Sequence, residues 1–104
     1  MHTTAFDPKQ ARLEALGEVT RLMEKCKAEL RENPGQKDVI SSFSLVIKPE
    51  HRKEAVDIYN KVVEETNCRL RAEKAPFFLY GKLEGNGFYF VAGRFVEYHE
   101  SKPD

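Results

Sequence analysis

Three histidines, two cysteines and a handful of acid pairs are the groups in this chain whose types could do chemistry. Imidazole is the usual acid-base and metal-binding group near neutral pH. His2 lies at the start of the chain, His51 in the first turn of a predicted helix, and His99 at the end of the last predicted strand. A zinc site needs three or four converging donors, and no pair among these has ligand spacing, so no metal is expected. Glu50 and Glu54 share one helix face, and Glu64 adjoins Glu65 near the end of that helix. In a chain with 33% charged residues such pairs read as solvated surface, since a general acid needs burial or a like-charged neighbour to move its pKa. Ser41 and Ser42 lack the strand-turn-helix and glycine setting of a nucleophile elbow. Gly85-Asn86-Gly87 is too short to cradle a phosphate. Cys26 and Cys68 are too few and too far apart for a disulfide framework and read as reduced core thiols. The expectation is a non-enzymatic protein without a cofactor, the alternative being a small enzyme whose site forms between subunits.

Composition narrows the partners. With 17 basic and 17 acidic side chains the formal net charge is zero, which removes the electrostatic footprint of a nucleic-acid or anionic-membrane binder. The N-terminal segment has neither a basic region nor an apolar core of the secretory kind, and no apolar run approaches membrane-spanning length, so a cytoplasmic location and no membrane partner are expected. A chain of 104 residues is one domain. The expected division is a flexible stretch over 1–6, a single domain over 7–99 and a polar tail over 100–104.

Asp7 followed by Pro8 and Gln10 is a helix start, with Asp as N-cap and Pro at the first helical position. Leu16, Val19, Met23, Cys26 and Leu30 recur at spacings of three and four, flanked by Leu13 and Leu22, and predict a helix to about Glu32 that packs on a sheet. Gly17 within it costs about 1 kcal/mol relative to Ala. Asn33-Pro34-Gly35 ends it. Val39 to Ile47 reads as a strand, with Val39, Phe43, Leu45 and Ile47 on one face and Ile40, Ser42, Ser44 and Val46 on the other. Pro49 opens a second helix whose apolar stripe is Ala55, Ile58, Tyr59, Val62, Val63 and Thr66, with Asn67 as its stop. From Cys68 to Glu73 apolar and charged residues alternate, which reads as a strand, the alternative being two more turns of the helix, and Lys74-Ala75-Pro76 interrupts the alternation. Because Pro cannot donate to a ladder, the strand holding Pro76 belongs at a sheet edge or a bulge.

Two aromatic-rich runs between Phe77 and Tyr98 meet at the Gly-Asn-Gly turn and predict a β-hairpin. Either Gly85-Asn86 or Asn86-Gly87 serves as a two-residue loop, and both sort the arms in the same way. Phe77, Leu79, Gly81, Leu83, Phe88, Phe90, Ala92, Arg94, Val96 and Tyr98 face the helices. Phe78, Tyr80, Tyr89, Val91 and Phe95 lie on the other face, which is far more apolar than plain solvent would favour. The fold class is therefore α+β in the order αβαββ, with two helices on one face of a small, three-stranded, mainly antiparallel sheet of strand order 2-3-1.

Asn86 to Gly93 resembles the third-strand signature of the RNA-recognition motif at Gly87, Phe88, Phe90 and Val91. Asn86 stands in place of its basic residue, Tyr89 of its small one and Gly93 of its final aromatic. That resemblance implies stacking of bases on Phe88 and Phe90, whereas the alternation sets both among core residues. The function expected from the residues is protein binding, as a small regulator or inhibitor working through Phe78, Tyr80, Tyr89, Val91 and Phe95, with Ile40 and Val46 beside them. The partner is a second copy in a homodimer or another protein; a single-stranded nucleic acid is the alternative, and the N-terminal helix folding over this face would make it a second core.

Overall fold

In the computed structural model, residues 6–35 and 39–94 are described. Their order is α1 (Pro8–Glu32), β1 (Val39–Val46), a 3₁₀ turn (Pro49–His51), α2 (Arg52–Ala72), β2 (Phe78–Glu84) and β3 (Gly87–Gly93). The sheet is antiparallel with β3 in the middle, in the order β1-β3-β2. The expected α+β architecture and strand order hold. His2, Phe95, Val96, Tyr98, His99 and the tail over 100–104 lie outside the described residues, as do 1–5 of the N-terminal stretch.

The N-terminus of α1 is capped as its sequence requires. Asp7 Oδ1 accepts from the backbone N–H of Lys9 (3.1 Å) and Gln10 (3.3 Å), with Pro8 opening the helix. The helix buries Ala11, Ala15, Val19, Leu22, Met23, Cys26 and Leu30 against β1, β3 and α2. Leu13, expected to flank this stripe, is 65% exposed, because the small Ala11 and Ala15 occupy the contact line where the helices approach. Of the two cysteines expected in the core, Cys26 is buried and Cys68 is exposed; both are free thiols.

The helix α2 corrects two expectations. Residues 68–72 are helical, and Asn67 lies inside the helix instead of stopping it. Leu70 continues the buried series Ala55, Tyr59, Val62, Thr66 at helical spacing, so the alternation over 68–73 was one that a helix also satisfies. The stop comes later. Lys74 takes a left-handed φ of 58°, its N–H donates to Arg71 O (3.0 Å), and the N–H of Ala75 donates to Leu70 O (2.9 Å), which is a Schellman closure without glycine.

Asn67 has a different task. Its Nδ2 donates to Leu79 O (2.8 Å) and its Oδ1 accepts from Leu79 N–H (2.7 Å), so the carboxamide pairs with the outer edge of β2 as a neighbouring strand would. β2 is an edge strand, as expected, but it begins at Phe78 and Pro76 lies outside it.

The hairpin turn is Gly85-Asn86, since Glu84 pairs with Gly87 and Leu83 with Phe88. Gly85 has φ of +61°, and Lys74 is the one described non-glycine residue with positive φ, so the turn is of type II′ with glycine at its first central position. On the core face Phe77, Leu79, Phe88, Phe90 and Ala92 are at most 3% exposed. Phe90 stacks on Phe43 (centroids 4.7 Å, planes 7° apart), and Tyr59 of α2 meets Phe88 and Phe90 edge-on at 5.5 and 5.6 Å. Gly81 is the one place where β2 must be bare: a Cβ there would lie 2.8 Å from the Phe88 ring. Arg94, at the end of this face, donates from Nη2 to Pro34 O (3.0 Å) and ties the turn after α1 to the end of β3.

β1 departs from simple alternation. Its register shifts between Val39 and Ser41, with Val39 opposite Gly93 and Ser41 opposite Ala92. This bulge turns Ile40 onto the core and leaves Val39 49% exposed, the reverse of the expected assignment for those two residues. Phe43, Leu45 and Ile47 face the core as expected.

Candidate functional site

The outer face of the sheet is built by strand register. Tyr80 lies opposite Val91, Lys82 opposite Tyr89, and Phe78 opposite Gly93 on the β2–β3 side; on the β1 side Ser42 lies opposite Val91, Ser44 opposite Tyr89 and Val46 opposite Gly87. Directly opposed residues share a face, so Tyr80, Tyr89 and Val91 form one group, with Tyr80 and Tyr89 as diagonal neighbours; Phe78 has the same phase at the start of β2 but packs against the core. The sheet brings these three expected residues together, with Phe78 at their margin; Phe95 lies outside the described residues. Ile40 does not join them, because of the bulge, while Val46 does and is 83% exposed.

Both helices pack on the opposite side, with every buried side chain of α1 in the one core that holds Phe88 and Phe90. The N-terminal helix therefore does not cover the aromatic group. Tyr80 is 38% and Tyr89 39% exposed, and Phe78 and Val91 are half-buried. Arg71 of α2 places its guanidinium 5.9 Å from the centre of the Phe78 ring. Lys82 and Glu84 approach each other at 4.0 Å on the β2 side, and Ser42 and Ser44 line the β1 side. An apolar centre with a charged and hydroxyl rim is the usual anatomy of a protein contact surface.

Phe88 and Phe90, the residues that carry the likeness to the RNA-recognition motif, are 1% and 0% exposed. They cannot present rings to bases without opening the core. On the other side of the sheet the exposed aromatics are Tyr89, at a different position of the pattern, and Tyr80 of β2, outside it.

Titratable groups gather elsewhere. A cavity of about 260 Å³ between the start of α1, the end of β1 and the start of α2 is lined by Gln10, Glu14, Lys48, His51 and Tyr59 over a floor that includes Ala11, Ile47 and Ala55. The Phe6 ring lies tilted by 31° against His51 with centroids 5.3 Å apart. Burial, and then the carboxylate of Glu14, push the Tyr59 phenol above its ordinary pKa. Glu14 of α1, His51 of the 3₁₀ turn and Tyr59 of α2 share this cavity. Sequence reasoning weighed His51 alone and missed this cavity. Its walls come from three elements, and no local spacing encodes it. Cys26 is inert, since burial and the neighbouring Glu29 push its thiol up to about 11 against the opposing charge of Lys25. Among the described residues no three His, Cys, Asp or Glu side chains gather as metal ligands would, and no helix is long and apolar enough to cross a membrane.

Comparison with protein-family models, with curated proteins and with solved structures finds no match to this chain.

Proposed function

We propose that this chain is a non-enzymatic protein-binding module, a small regulator or inhibitor that grips a partner protein with the outer face of its sheet. One observation carries the reading: Tyr80 and Tyr89 stand about two-fifths exposed beside half-buried Val91, on the side of the sheet away from the helix core, with Phe78 at its margin, packed toward the core and under Arg71 of α2. Tyrosine suits this role because it offers a large rigid apolar surface and a hydroxyl that can pair at the interface, at small cost in conformational entropy. The rim of Arg71, Lys82 and Glu84 supplies both signs of charge for orientation. A zero net charge favours a protein over a nucleic acid as the occupant.

The test is affinity capture from the native cell with the intact chain and with Tyr89→Lys in parallel. A protein retained by the first and lost by the second, while circular dichroism stays unchanged, is the expected result. Equal retention by both sinks the proposal. Absorbance of the purified chain at 260 nm against 280 nm reads the competing occupant, since carried nucleic acid raises that ratio.

A further inference from the structure

The two edges of the sheet are treated differently. On β2, Asn67 occupies the outward N–H and C=O of Leu79, and Lys82 and Glu84 put charge along the same strand. These are the devices that keep an edge from recruiting another strand. β1 carries neither: Val-Ile-Ser-Ser-Phe-Ser-Leu-Val has no charge and no proline, in a chain with 33% charged residues, and its bulge lies at the Val39–Ser41 end, before the regular stretch.

The phase of the ladder says which groups β1 offers. Since Leu79 points its backbone groups at Asn67, the residues of β2 that bond to β3 are Phe78, Tyr80, Lys82 and Glu84, opposite Gly93, Val91, Tyr89 and Gly87. The alternate residues of β3, Phe88, Phe90 and Ala92, therefore bond to β1 at Leu45, Phe43 and Ser41. The N–H of Ile47 keeps the same phase by donating to Asn86 O (2.7 Å). Ser42, Ser44 and Val46 are left with their backbone groups aimed at the open edge, and all three are exposed. No described strand lies there.

We infer that β1 pairs antiparallel with β1 of a second copy across a two-fold axis at Ser44, making one continuous six-stranded sheet. The bulge fixes this register. Past the bulge the regular register runs from Ser41 to Val46, and the residues whose backbone groups face the edge are Ser42, Ser44 and Val46, so the self-pairing that uses all three sets Ser44 opposite Ser44, Ser42 opposite Val46 and Phe43 opposite Leu45. No charge meets its own kind in these pairs. The flank of α1 beside Ser41 and Ser42 carries Glu18 paired with Arg21 at 2.8 Å, and Lys25, so no single-sign patch bars the approach. A second copy is favoured over a foreign strand because the contact is isologous and stops at two: with Leu79 of β2 paired to Asn67 and with Lys82 and Glu84 charged, β2 is the guarded edge and β1 the one left to pair. Two open edges would propagate instead. This goes beyond the reading of the outer face and does not depend on it; its consequence is that both aromatic groups lie on the same side of one sheet.

Light scattering on the intact chain should give twice the chain mass. Ser44→Pro removes only the N–H aimed at the open edge, so it should halve that mass while circular dichroism persists; if that variant fails to fold, Ser44→Lys sets like charges across the axis and should halve it equally. Register is read by cysteine cross-linking in a Cys68→Ser background. Ser44→Cys should give a disulfide dimer on mild oxidation, and so should a mixture of Ser42→Cys with Val46→Cys. Val46→Cys alone should not, because its own copy lies four residues along the partner strand, well beyond the ~7 Å between Cα atoms that a disulfide spans. A monomeric mass for the intact chain, equal cross-linking by Val46→Cys alone, or a dimer lost in Tyr89→Lys and kept in Ser44→Pro and Ser44→Lys would overturn the inference.

Discussion

Tyr89 and Phe90 are neighbours in sequence with opposite physical fates. Phe90 is wholly buried, stacked on Phe43 and met edge-on by Tyr59, so Phe90→Ala is expected to cost about 3–5 kcal/mol. That is a large share of what so small a domain has. Chemical denaturation measures it, and a loss under one kcal/mol would mean the two faces are interchanged. Tyr89→Lys, one position away on the outer face, should leave the unfolding midpoint close to that of the parent chain. Cys26 gives a residue-scale prediction with a definite pH sign. Its pKa is raised from 9.0 in the open chain to about 11 in the fold, so the folded state holds the proton more tightly. The stability it contributes is present in full below pH 9 and is lost as the pH rises toward 11. Cys26→Val should flatten that part of the stability profile relative to the parent. In the native protein a thiol reagent should modify exposed Cys68 and spare Cys26 until the chain unfolds.

At the scale of elements, α2 does more than cover the core. Its Asn67 acts as a one-residue strand against β2, and the pair of bonds to Leu79 explains why an Asn is kept within a helix it does not favour. Asn67→Ala leaves a largely buried N–H and C=O without partners and is expected to cost about 1–3 kcal/mol in chemical denaturation. It also unclamps β2, so light scattering should detect species larger than the parent assembly. The other helix offers a gain. Gly17 is exposed in the interior of α1 with open space where a Cβ would be, so Gly17→Ala should stabilise the fold by about 1 kcal/mol, read as a rise in melting temperature.

The sheet has two faces and two edges, and in each pair one is guarded. The core face is covered by α1 and α2, and on the β2 edge Asn67 occupies the backbone groups of Leu79. The outer face, on the side away from the helix core, and the β1 edge, beside which no described strand lies, are set at right angles to each other. Face binding and edge pairing are therefore separable. Tyr89→Lys should abolish partner capture and leave the native mass as it is, while Ser44→Pro should change the mass and leave the tyrosine pair in place. Light scattering and capture on the same two variants check both statements, and loss of both properties in either variant would show that face and edge act as one surface.

Much of this could be read from residues alone, because local rules decide it. Asp7-Pro8 begins a helix through bonds made within four residues, and the sorting of Phe88 and Phe90 from Tyr89 and Val91 follows from alternation along one strand. The edge position expected for the strand after Pro76 also holds, although Pro76 lies two residues before β2 and its missing N–H is not part of the ladder. The sequence did not determine the end of α2, since Cys68, Leu70 and Ala72 fit either period, and what decided for helix was the contact of Leu70 with a core formed by distant residues. Nor could it place Ile40: a bulge depends on how β1 fits β3, and alternation carries no sign of it. Asn67 read as a stop because a carboxamide favours helix ends locally, and only the approach of β2 gave it two better partners. Local chemistry thus determined the elements and their faces, while register, edge protection and the gathering of Glu14, His51 and Tyr59 around one cavity were decided by tertiary contacts that no short stretch of chain encodes.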